Sequence, residues 1–203
     1  MTIRPSYKKH IKNFPIAKNP PITFSDVFAI KFAHIQGKNW EEKKKLILAN
    51  MSKVKREDIP RGEFLETNYH EFKKGDDLDP MNVTSILEEE LSEFMIQVGG
   101  LVQVNLSWIE RSTKGMSHSI HNHGALGYSA ACYVTYDPEK HTPTQFVSPF
   151  NNPITGDIIQ YQPMNVEEGD LVLFPSFIHH YTRPSQSDSE RIVLSFNLNC
   201  YEK

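Results

Sequence analysis

The chain has 203 residues and a mass of 23.4 kDa, and 38% of its residues are hydrophobic and 11% aromatic. This length and composition predict one globular domain with a buried core and exclude wholesale disorder. No apolar run approaches the roughly 18–20 residues that a membrane helix needs, and we expect no secretory signal because no apolar segment follows the basic N-terminus. The two cysteines, Cys132 and Cys200, fit neither a disulfide-rich scaffold nor a cysteine-based zinc module, which favours a reducing, cytoplasmic compartment.

The net charge of −3 conceals an uneven distribution along the chain. Residues 1–75 hold 16 Lys and Arg against 8 Asp and Glu, a net charge of +8, whereas residues 76–203 have a net charge of −11. A basic run in the first half suits nucleic acid or an acidic protein, but such a run is more often a solvated helix face, which we favour. Its members are Lys43, Lys44, Lys45, Lys53, Lys55 and Arg56. Six of the nine histidines lie between Ser117 and Tyr181, which makes this segment the first place to look for chemistry.

The N-terminal half predicts an arm followed by helices. Residues 1–24 contain four prolines and no sustained period, which is typical of an extended or wrapping segment. Apolar residues between Ser25 and Ile35 predict a short helix, and residues 40–51 predict a second one with acidic residues in its first turn. We expect a polar, glycine-containing connection after this helix.

The period of the apolar pattern changes near residue 100. Ser85 and Glu88 form a predicted capping box, and the apolar stripe that follows predicts a helix that ends at Gly99. Residues 101–110 alternate with a period of two, which predicts a strand. The residues expected on one face of this strand are Val102, Val104, Leu106 and Trp108.

Short strands separated by turn signals fill the rest of the chain. They are predicted at Tyr128–Tyr136, Thr144–Val147, Asp157–Gln162, Leu171–Phe174, His179–Thr182 and Arg191–Asn199. Many short strands behind a helical N-terminal half predict a mainly β fold, a small sandwich or jelly-roll barrel with helices packed on one outer face. We expect one structural domain, in which residues 1–100 form the arm and packing helices and residues 101–203 form the barrel.

Two histidine motifs are candidates for chemistry. His121 and His123 are two residues apart, so on a strand they would present both imidazoles to the same point. A solvated loop with inactive histidines is the alternative for such a pair. Of His179 and His180, only one can face the interior, and we expect a surface role for His179.

The last predicted strand has one apolar and one mixed face. Ile192, Leu194, Phe196 and Leu198 suit packing against helices, which leaves Arg191, Val193, Ser195 and Asn197 for the barrel lumen. A buried arginine is costly unless an anion pairs with it, and the guanidinium matches a carboxylate bidentately. An inward Arg191 therefore predicts a carboxylate ligand or an internal acidic partner, with a salt bridge at the rim as the alternative.

These features occur together in the iron(II)/2-oxoglutarate oxygenases. The chain has a His-x-His pair, a further histidine 57–59 residues on and an arginine 11 residues beyond it. It resembles most a branch of bacterial and phage oxygenases with the motifs N-x-S, H-x-H, S-G-x-x-Y, G-x-L-x-x-F-P-S-x-x-x-H and R-x-x-x-S-F-N. The matching residues are Asn105, Ser107, His121, His123, Ser129, Tyr133, Gly169 to Ser176, His180, Arg191, Ser195, Phe196 and Asn197. The resemblance covers about residues 101–199, half of the chain.

The resemblance implies a fold and a role for each matched residue. The fold is a double-stranded β-helix, the cupin-like form of the jelly-roll barrel. His121 and His180 are similar to the two histidine ligands of Fe(II), and Arg191 to the residue that holds the distal carboxylate of 2-oxoglutarate. The residues implied as further hydrogen-bond partners of 2-oxoglutarate are Ser195, Tyr133 and Asn105.

Two positions depart from the pattern of the superfamily. His123 stands where most members have Asp or Glu, so the site would hold three neutral imidazoles, unless water takes the third position. Val193 stands where many relatives have a small polar residue, so a hydroxyl contact to 2-oxoglutarate must come from elsewhere.

The implied activity is hydroxylation of an unidentified substrate with Fe(II), 2-oxoglutarate and O2, and with release of succinate and CO2. One alternative is a three-histidine cupin dioxygenase that does not use 2-oxoglutarate, which explains His123 but leaves Arg191 without a role. Another is a non-enzymatic jelly-roll binding protein. We expect no membrane partner, a homodimer is compatible with the sequence, and the basic N-terminal half is where substrate recognition is expected.

Overall fold

The computed structural model describes residues 29–51, 55–58, 64–69 and 78–202. Within them, no helix is long and apolar enough to cross a membrane. The helices are α1 (Trp40–Asn50), α2 (Val83–Ile86) and α3 (Glu88–Val98). The strands are β1 (Ala33–Gln36), β2 (Lys55–Asp58), β3 (Phe64–Thr67), β4 (Gly100–Ser112), β5 (His118–His121), β6 (Tyr128–Thr135), β7 (Gln145–Asn151), β8 (Ile158–Tyr161), β9 (Asp170–Pro175), β10 (His179–Thr182) and β11 (Arg191–Glu202).

The strands form two antiparallel sheets that face each other. The larger sheet has the order β1-β9-β6-β11-β4-β3-β2, and the smaller one has the order β5-β10-β7-β8. One apolar cluster lies between the sheets, because Phe146 of β7 packs with Tyr133, Phe174 and Val193 of the larger sheet. The predicted jelly-roll barrel, mainly β with helices from the N-terminal half, is confirmed.

Strand β11 separates the two sides of the larger sheet as its alternation predicts. Ile192, Leu194, Phe196 and Leu198 join a second apolar cluster on the outer side, where residues of α2 and α3 cover them. Val193 packs on the inner side, between the sheets. Strand β11 lies between β4 and β6 and pairs with both. Residues of β4 and β6 that lie opposite an outward-facing residue of β11 therefore face outward too, and those opposite an inward-facing residue face inward.

A bulge in β4 changes the face that its residues occupy. Leu198 of β11 lies opposite Val104, whereas Asn197 lies opposite Leu106, so Asn105 is left out of the pairing. An extra residue of this kind reverses the side on which every following residue lies. The single predicted face for Val102 to Trp108 is therefore wrong: the residues before the bulge pack with the helices, and Leu106, Trp108 and Glu110 lie opposite the inward-facing residues of β11.

The N-terminal half contains strands that its sequence pattern did not predict. Residues 33–36 form β1 at the edge of the larger sheet, so the predicted helix does not extend through Ile35. The predicted polar connection contains β2 and β3, a hairpin that extends the sheet beside β4. The predicted arm at residues 1–24, the start of the predicted helix at Ser25, and part of the connection lie outside the described residues.

Two of the three lysines of α1 form ion pairs with the body of the protein. Lys43 Nζ lies 2.8 Å from both carboxylate oxygens of Glu90, whose side chain is fully buried. Lys44 Nζ lies 2.5 Å from Glu168 Oε1. These contacts hold α1 against α3 and the turn before β9, which gives both lysines a structural role.

The helix between residues 83 and 98 is interrupted and is capped differently from the prediction. A break at Leu87 separates α2 from α3, and no side-chain hydrogen bond caps α3, so the predicted capping box of Ser85 and Glu88 is absent. The carboxylate of Asp79 instead accepts the N–H groups of Val83 and Thr84, at 2.9 and 2.8 Å, and the hydroxyl of Ser107 on β4 at 2.8 Å. Asp79 therefore both caps α2 and links it to the sheet.

Because Asp79 caps α2, and Ser85 caps no helix, substitutions of these two residues should change the free energy of unfolding by different amounts. We expect Asp79→Ala to lower the free energy of unfolding by about 1–2 kcal/mol, because a lost cap costs about that much and the Ser107 hydroxyl loses its acceptor. Ser85→Ala, in the predicted capping box, is the matched control and should change it by less than about 0.5 kcal/mol. Urea unfolding of both variants measures the two values, and an equal loss in both would contradict the assignment.

Candidate metal centre

Three histidines from two neighbouring segments meet between the sheets. His121 ends β5 and lies opposite His180 on β10, so the pairing of these strands brings both side chains together. His123 follows in the loop, where its backbone N–H donates to the carbonyl of Ser176 at 2.9 Å. The turn before β10 thus holds His123 in place, and β10 itself carries His180.

The ring nitrogens of the three histidines converge on a common point. One nitrogen from each of His121, His123 and His180 lies within 4.8 Å of the other two. The Nδ1 atoms of His121 and His180 lie 2.7 and 3.0 Å from the carbonyls of Ser119 and Ile178, so each Nδ1–H donates to a carbonyl and each Nε2 keeps its lone pair. Such backbone acceptors orient metal-binding imidazoles.

Burial keeps all three imidazoles in the form that binds metals. Burial, and next the positive charge of His118, lowers the pKa of His121 below its usual value. Burial, and next the charge of His121, lowers the pKa of His123 to about 4. Burial, and next the charges of His121 and His123, holds the pKa of His180 well below its usual range. At neutral pH the three rings are therefore neutral, as metal ligation requires.

Two of the remaining histidines of this segment have other roles. His179 is exposed on the far side of β10, where its Nε2 lies 3.3 Å from Asn122 Nδ2, which agrees with the expected surface role. His141 is buried, and its ring accepts the N–H of Asp137 and donates to the carbonyl of Ser189, so it fixes a turn. Neither points into the histidine cluster.

His118 differs from them because it touches the cluster. Its ring stacks on His121 with 4.0 Å between ring centroids, and its Nδ1 lies 3.5 Å from Glu110 Oε1. Nothing in the sequence pattern singled out His118 or Glu110 as part of the site. Both line the same small cavity as the three histidines. Glu110 was missed because the bulge at Asn105 turns it inward, and its place opposite Val193 on β11 is the signal that reveals it.

Arg191 is buried in the lumen without an acidic partner. Its side chain is 6% exposed, its guanidinium carbon lies 5.5 Å from the centre of the Tyr133 ring, and Nη2 makes a long contact of 3.5 Å with Thr144 Oγ1. Nε has no hydrogen-bond partner among the described residues, and no described carboxylate forms an ion pair with Arg191. Of the two expectations for an inward Arg191, an internal acidic partner is not found among the described residues.

The predicted helpers of 2-oxoglutarate are placed differently from one another. Ser195 lines the histidine cavity, and Tyr133 is fully buried beside Arg191, with its hydroxyl accepting the N–H of Thr144 at 3.1 Å. Asn105 is exposed at the bulge and its amide donates to Asn199 at 3.2 Å. The structure therefore brings Ser195 and Tyr133 to the lumen and leaves Asn105 outside it.

Comparison with known proteins identifies the chemistry of this arrangement. Residues 106–197, which contain all three clustered histidines and Arg191, match the family model described as "Putative 2OG-Fe(II) oxygenase". Residues 106–197 are thereby assigned to the iron(II)/2-oxoglutarate oxygenase superfamily. No protein of curated function has a sequence similar enough to match the chain.

Solved structures of oxygenases share the fold. An oxidoreductase of the 2OG-Fe(II) oxygenase family from Burkholderia pseudomallei has a TM-score of 0.59 and 11% identity, with 83% of this chain and 84% of that one covered. The epimerase SnoN from nogalamycin biosynthesis, in complex with Fe3+ and alpha ketoglutarate, has a TM-score of 0.63 and 11% identity, with coverage of 84% and 79%. A viral collagen prolyl hydroxylase from Paramecium Bursaria Chlorella virus-1 has a TM-score of 0.52 and 14% identity, with coverage of 84% and 96%.

The oxygenase uses Fe(II) and 2-oxoglutarate, as its superfamily does. The donor set of the histidine cluster fits the metal, because neutral imidazoles are good ligands for iron and other first-row metals. The cosubstrate is a dicarboxylate, which fits the buried guanidinium of Arg191 with its unpaired Nε. Both cofactors therefore find matching chemistry among residues that the fold places in the lumen.

The lowered pKa values predict how the metal-free protein responds to acid. An unfolded histidine has a pKa of about 6.5, so between pH 6.5 and about 4 unfolded His123 binds a proton that folded His123 does not. The free energy of unfolding should therefore fall as the pH drops from 7 to 5. Urea unfolding with a chelator present measures this fall, which should be smaller in His123→Gln. An equal fall in both proteins would show that His123 makes no contribution.

Proposed function

We propose that this oxygenase hydroxylates its substrate at an iron centre held by His121, His123 and His180, with 2-oxoglutarate anchored by Arg191. The observation that carries the proposal is the joint placement of these groups. Three neutral imidazoles converge within 4.8 Å, and a buried arginine without a described acidic partner contacts Thr144, which lines the same cavity as the histidines. Burying an unpaired guanidinium is costly for the free protein, but it is what a dicarboxylate ligand requires. Three converging neutral imidazoles are what an iron ion requires.

The three histidines each bind through one ring nitrogen. In His121 and His180 this is Nε2, because Nδ1 donates to a backbone carbonyl. In His123, Nε2 lies 3.2 Å from Nε2 of His180, which makes it the corresponding donor. Since all three rings are neutral before metal arrives, they need lose no proton to bind it.

Arg191 orients the cosubstrate through its distal carboxylate. The guanidinium is fixed against the Tyr133 ring, and its unpaired Nε is available to donate. Ser195 lies two positions after Val193 on the inner face of β11, and we propose that its hydroxyl supplies the contact that Val193 lacks. Tyr133 contributes mainly by fixing the guanidinium, because its hydroxyl already accepts the N–H of Thr144.

When bound, iron and 2-oxoglutarate supply the oxidation: 2-oxoglutarate loses CO2 and becomes succinate while one oxygen atom of O2 enters the substrate. The chain contributes orientation and exclusion of water. The cavity beside the histidines is about 20 Å³, room for about one water molecule. We therefore expect side chains that close it, Thr144 and Tyr181 among them, to move when 2-oxoglutarate binds.

We propose hydroxylation because it needs nothing beyond these groups. The structural neighbours include prolyl hydroxylases, an epimerase and a carbocyclase, so the fold accommodates several oxidative outcomes. We also propose that residues 101–203 are the catalytic core and that residues 1–100, whose described part adds strands β1 to β3 and the helices, complete the same structural domain. The free cysteines, Cys132 and Cys200, support a cytoplasmic location.

A three-histidine dioxygenase that does not use 2-oxoglutarate is the second candidate, and His123 favours it. A site of three imidazoles is compatible with metal-dependent oxidation that has no keto-acid cosubstrate. Measurement of succinate separates the two candidates. Release of succinate with Fe(II), O2 and 2-oxoglutarate supports our proposal, whereas oxygen uptake without consumption of 2-oxoglutarate supports the alternative.

The ligand assignment predicts opposite results for two adjacent histidines. His180→Ala should weaken Mn(II) binding by more than about 100-fold, because removal of a ligand costs more than removal of a residue that only orients a ligand. It should also abolish succinate release. His179→Ala, one residue away on the exposed face of β10, should change neither. Electron paramagnetic resonance titration with Mn(II) measures the affinities. Equal metal binding by the two variants would place the metal elsewhere.

The role of Arg191 predicts a difference between the free and the loaded protein. Arg191→Met should leave the melting temperature of the metal-free protein unchanged or raised, because the buried charge has no described acidic partner. It should weaken 2-oxoglutarate binding about 10–100-fold, because the lost hydrogen bonds to a charged group contribute about 1.5–3 kcal/mol to binding. Thermal shifts with 2-oxoglutarate and Mn(II), which replaces Fe(II) without turnover, measure both effects. Exposed Arg183→Met is the control, and an unchanged affinity in Arg191→Met would refute the anchoring role.

A further inference from the structure

A carboxylate that belongs to none of the matched motifs lies beside the histidine cluster. Glu110 is on β4 opposite Val193, and its side chain is 15% exposed. It lines the cavity that also contains the three histidines. A carboxylate in such a place is costly unless it is compensated, so its presence needs a partner of positive charge.

Glu110 is connected to two of the three histidines through intermediate rings. Its Oε1 accepts the indole N–H of Trp108 at 3.0 Å, and Trp108 packs on His123 with 5.4 Å between ring centroids. The same oxygen lies 3.5 Å from Nδ1 of His118, which stacks on His121 at 4.0 Å. Glu110 thus holds the side chains that pack against two of the proposed ligands.

The proposed metal site has one positive charge in excess, which the carboxylate of Glu110 can balance. In the usual arrangement of two histidines and one carboxylate, the carboxylate cancels one of the two charges of Fe(II). With His123 in its place, the loaded site has the two charges of the metal and one of Arg191 against the two negative charges of 2-oxoglutarate. One positive charge is left over in a space that is largely closed to water, where an uncompensated charge is expensive.

We infer that Glu110 replaces, from outside the coordination sphere, the negative charge that His123 removes from the metal site, and that it positions His121 and His123 through His118 and Trp108. This inference rests on the proposed function, because it requires metal between the three histidines. Glu110 is therefore a positioning residue. It acts on the metal through neighbouring rings and through its charge.

The electrostatics of the site agree with this role. Burial by itself would raise the pKa of Glu110, but the charge and hydrogen bond of His118, together with the N–H of Trp108, hold it well below its usual range. Glu110 is therefore ionised at neutral pH. Burial has the larger effect on His121, His123 and His180 and lowers the pKa of each, whereas the negative charge of Glu110 raises it. The same negative charge would attract a metal cation bound between the three rings.

Glu110 lies near the metal position without being part of the ligand set. Among the described residues, the side chains whose ligand atoms meet within 4.8 Å are His121, His123 and His180 alone. Oε1 of Glu110 accepts the indole N–H of Trp108 and lies 3.5 Å from Nδ1 of His118, so this oxygen is engaged by groups outside the ligand set. A role outside the coordination sphere follows from both observations.

The test is metal binding by the full-length protein after removal of metal with a chelator. Glu110→Gln keeps the shape of the side chain and removes its charge, and we expect it to weaken Co(II) and Mn(II) binding about 10–100-fold. Glu66→Gln is the matched control, because Glu66 is a carboxylate on β3 that pairs with Arg111 on the outer face of β4. It should change the affinity by less than about twofold, as exposed ion pairs contribute little.

Two further measurements separate charge from structure. The absorption spectrum of the Co(II)-saturated protein should keep its band positions in Glu110→Gln, because the ligands are unchanged. In a His123→Asp background, where a carboxylate is restored at position 123, Glu110→Gln should weaken metal binding by less than about threefold, because the charge is then supplied twice. A purely structural role would give the same loss in both backgrounds.

The outcomes that would overturn the inference are specific. An affinity of Glu110→Gln within about twofold of the unaltered protein would show that its charge is not used. A shift of the Co(II) bands to a different coordination would make Glu110 a ligand. If His180→Ala binds metal as well as the unaltered protein, the proposed function itself fails, and that result does not depend on Glu110.

Discussion

Strand β11 is buried on both faces from Arg191 to Phe196, so each residue of this stretch must suit one of two environments. Its even-numbered residues from Ile192 to Leu198 contact the apolar cluster beneath the helices, and this contact determines which way the odd-numbered residues point. Arg191, Val193 and Ser195 are thereby directed between the sheets. Shifting the register by one residue would exchange the faces and place an arginine in the apolar cluster. The apolar packing of one face thus determines the chemistry of the other.

Exclusion of water from the space between the sheets determines the state of the groups that lie there. Burial favours the neutral form of a histidine, and it makes an unpaired guanidinium or carboxylate costly. The same low polarity therefore prepares His121 and His180 for a metal and keeps Arg191 in need of an anion. These unpaired buried groups lower the free energy of unfolding of the free protein, and binding of the ligands raises it again. The chemistry of the three-histidine site and the placement of Glu110 both follow from this constraint.

The sequence predicted most of the barrel and most of the residues that meet at the candidate site, for reasons that are local. Alternation along β11 and the turn signals around β10 are properties of adjacent residues, and His180 was distinguished from His179 by the resemblance of its motif. The errors have non-local causes. Nothing in the alternation of β4 indicates the bulge at Asn105, because the residues on both sides of it are apolar at even positions. Strand β1 was read as helix because its pairing with β9 joins segments more than 130 residues apart.

Helix capping and the polar motif residues illustrate the same limit. Ser85 and Glu88 have the spacing of a capping box, yet the helix begins earlier, at Val83, so Ser85 lies inside α2. The carboxylate of Asp79, which also accepts the hydroxyl of Ser107 on β4, caps that earlier start. A local pattern is overridden where a tertiary contact fixes a different start for the helix.

The polar residues of the matched motifs include three whose hydrogen bonds are with one another. Ser129 on β6 donates to Asn197 on β11 at 2.8 Å, and its hydroxyl lies 2.9 Å from that of Ser176. The carbonyl of Ser176 accepts the N–H of His123. This network joins β6 and β11 to the turn between β9 and β10, and the carbonyl of Ser176 in that turn holds the loop of His123. Because buried hydroxyl and amide groups are costly unless they are paired, they restrict the backbone to the arrangement in which every bond forms. The position of His123 relative to His180 is therefore determined by side chains that do not themselves belong to the metal centre.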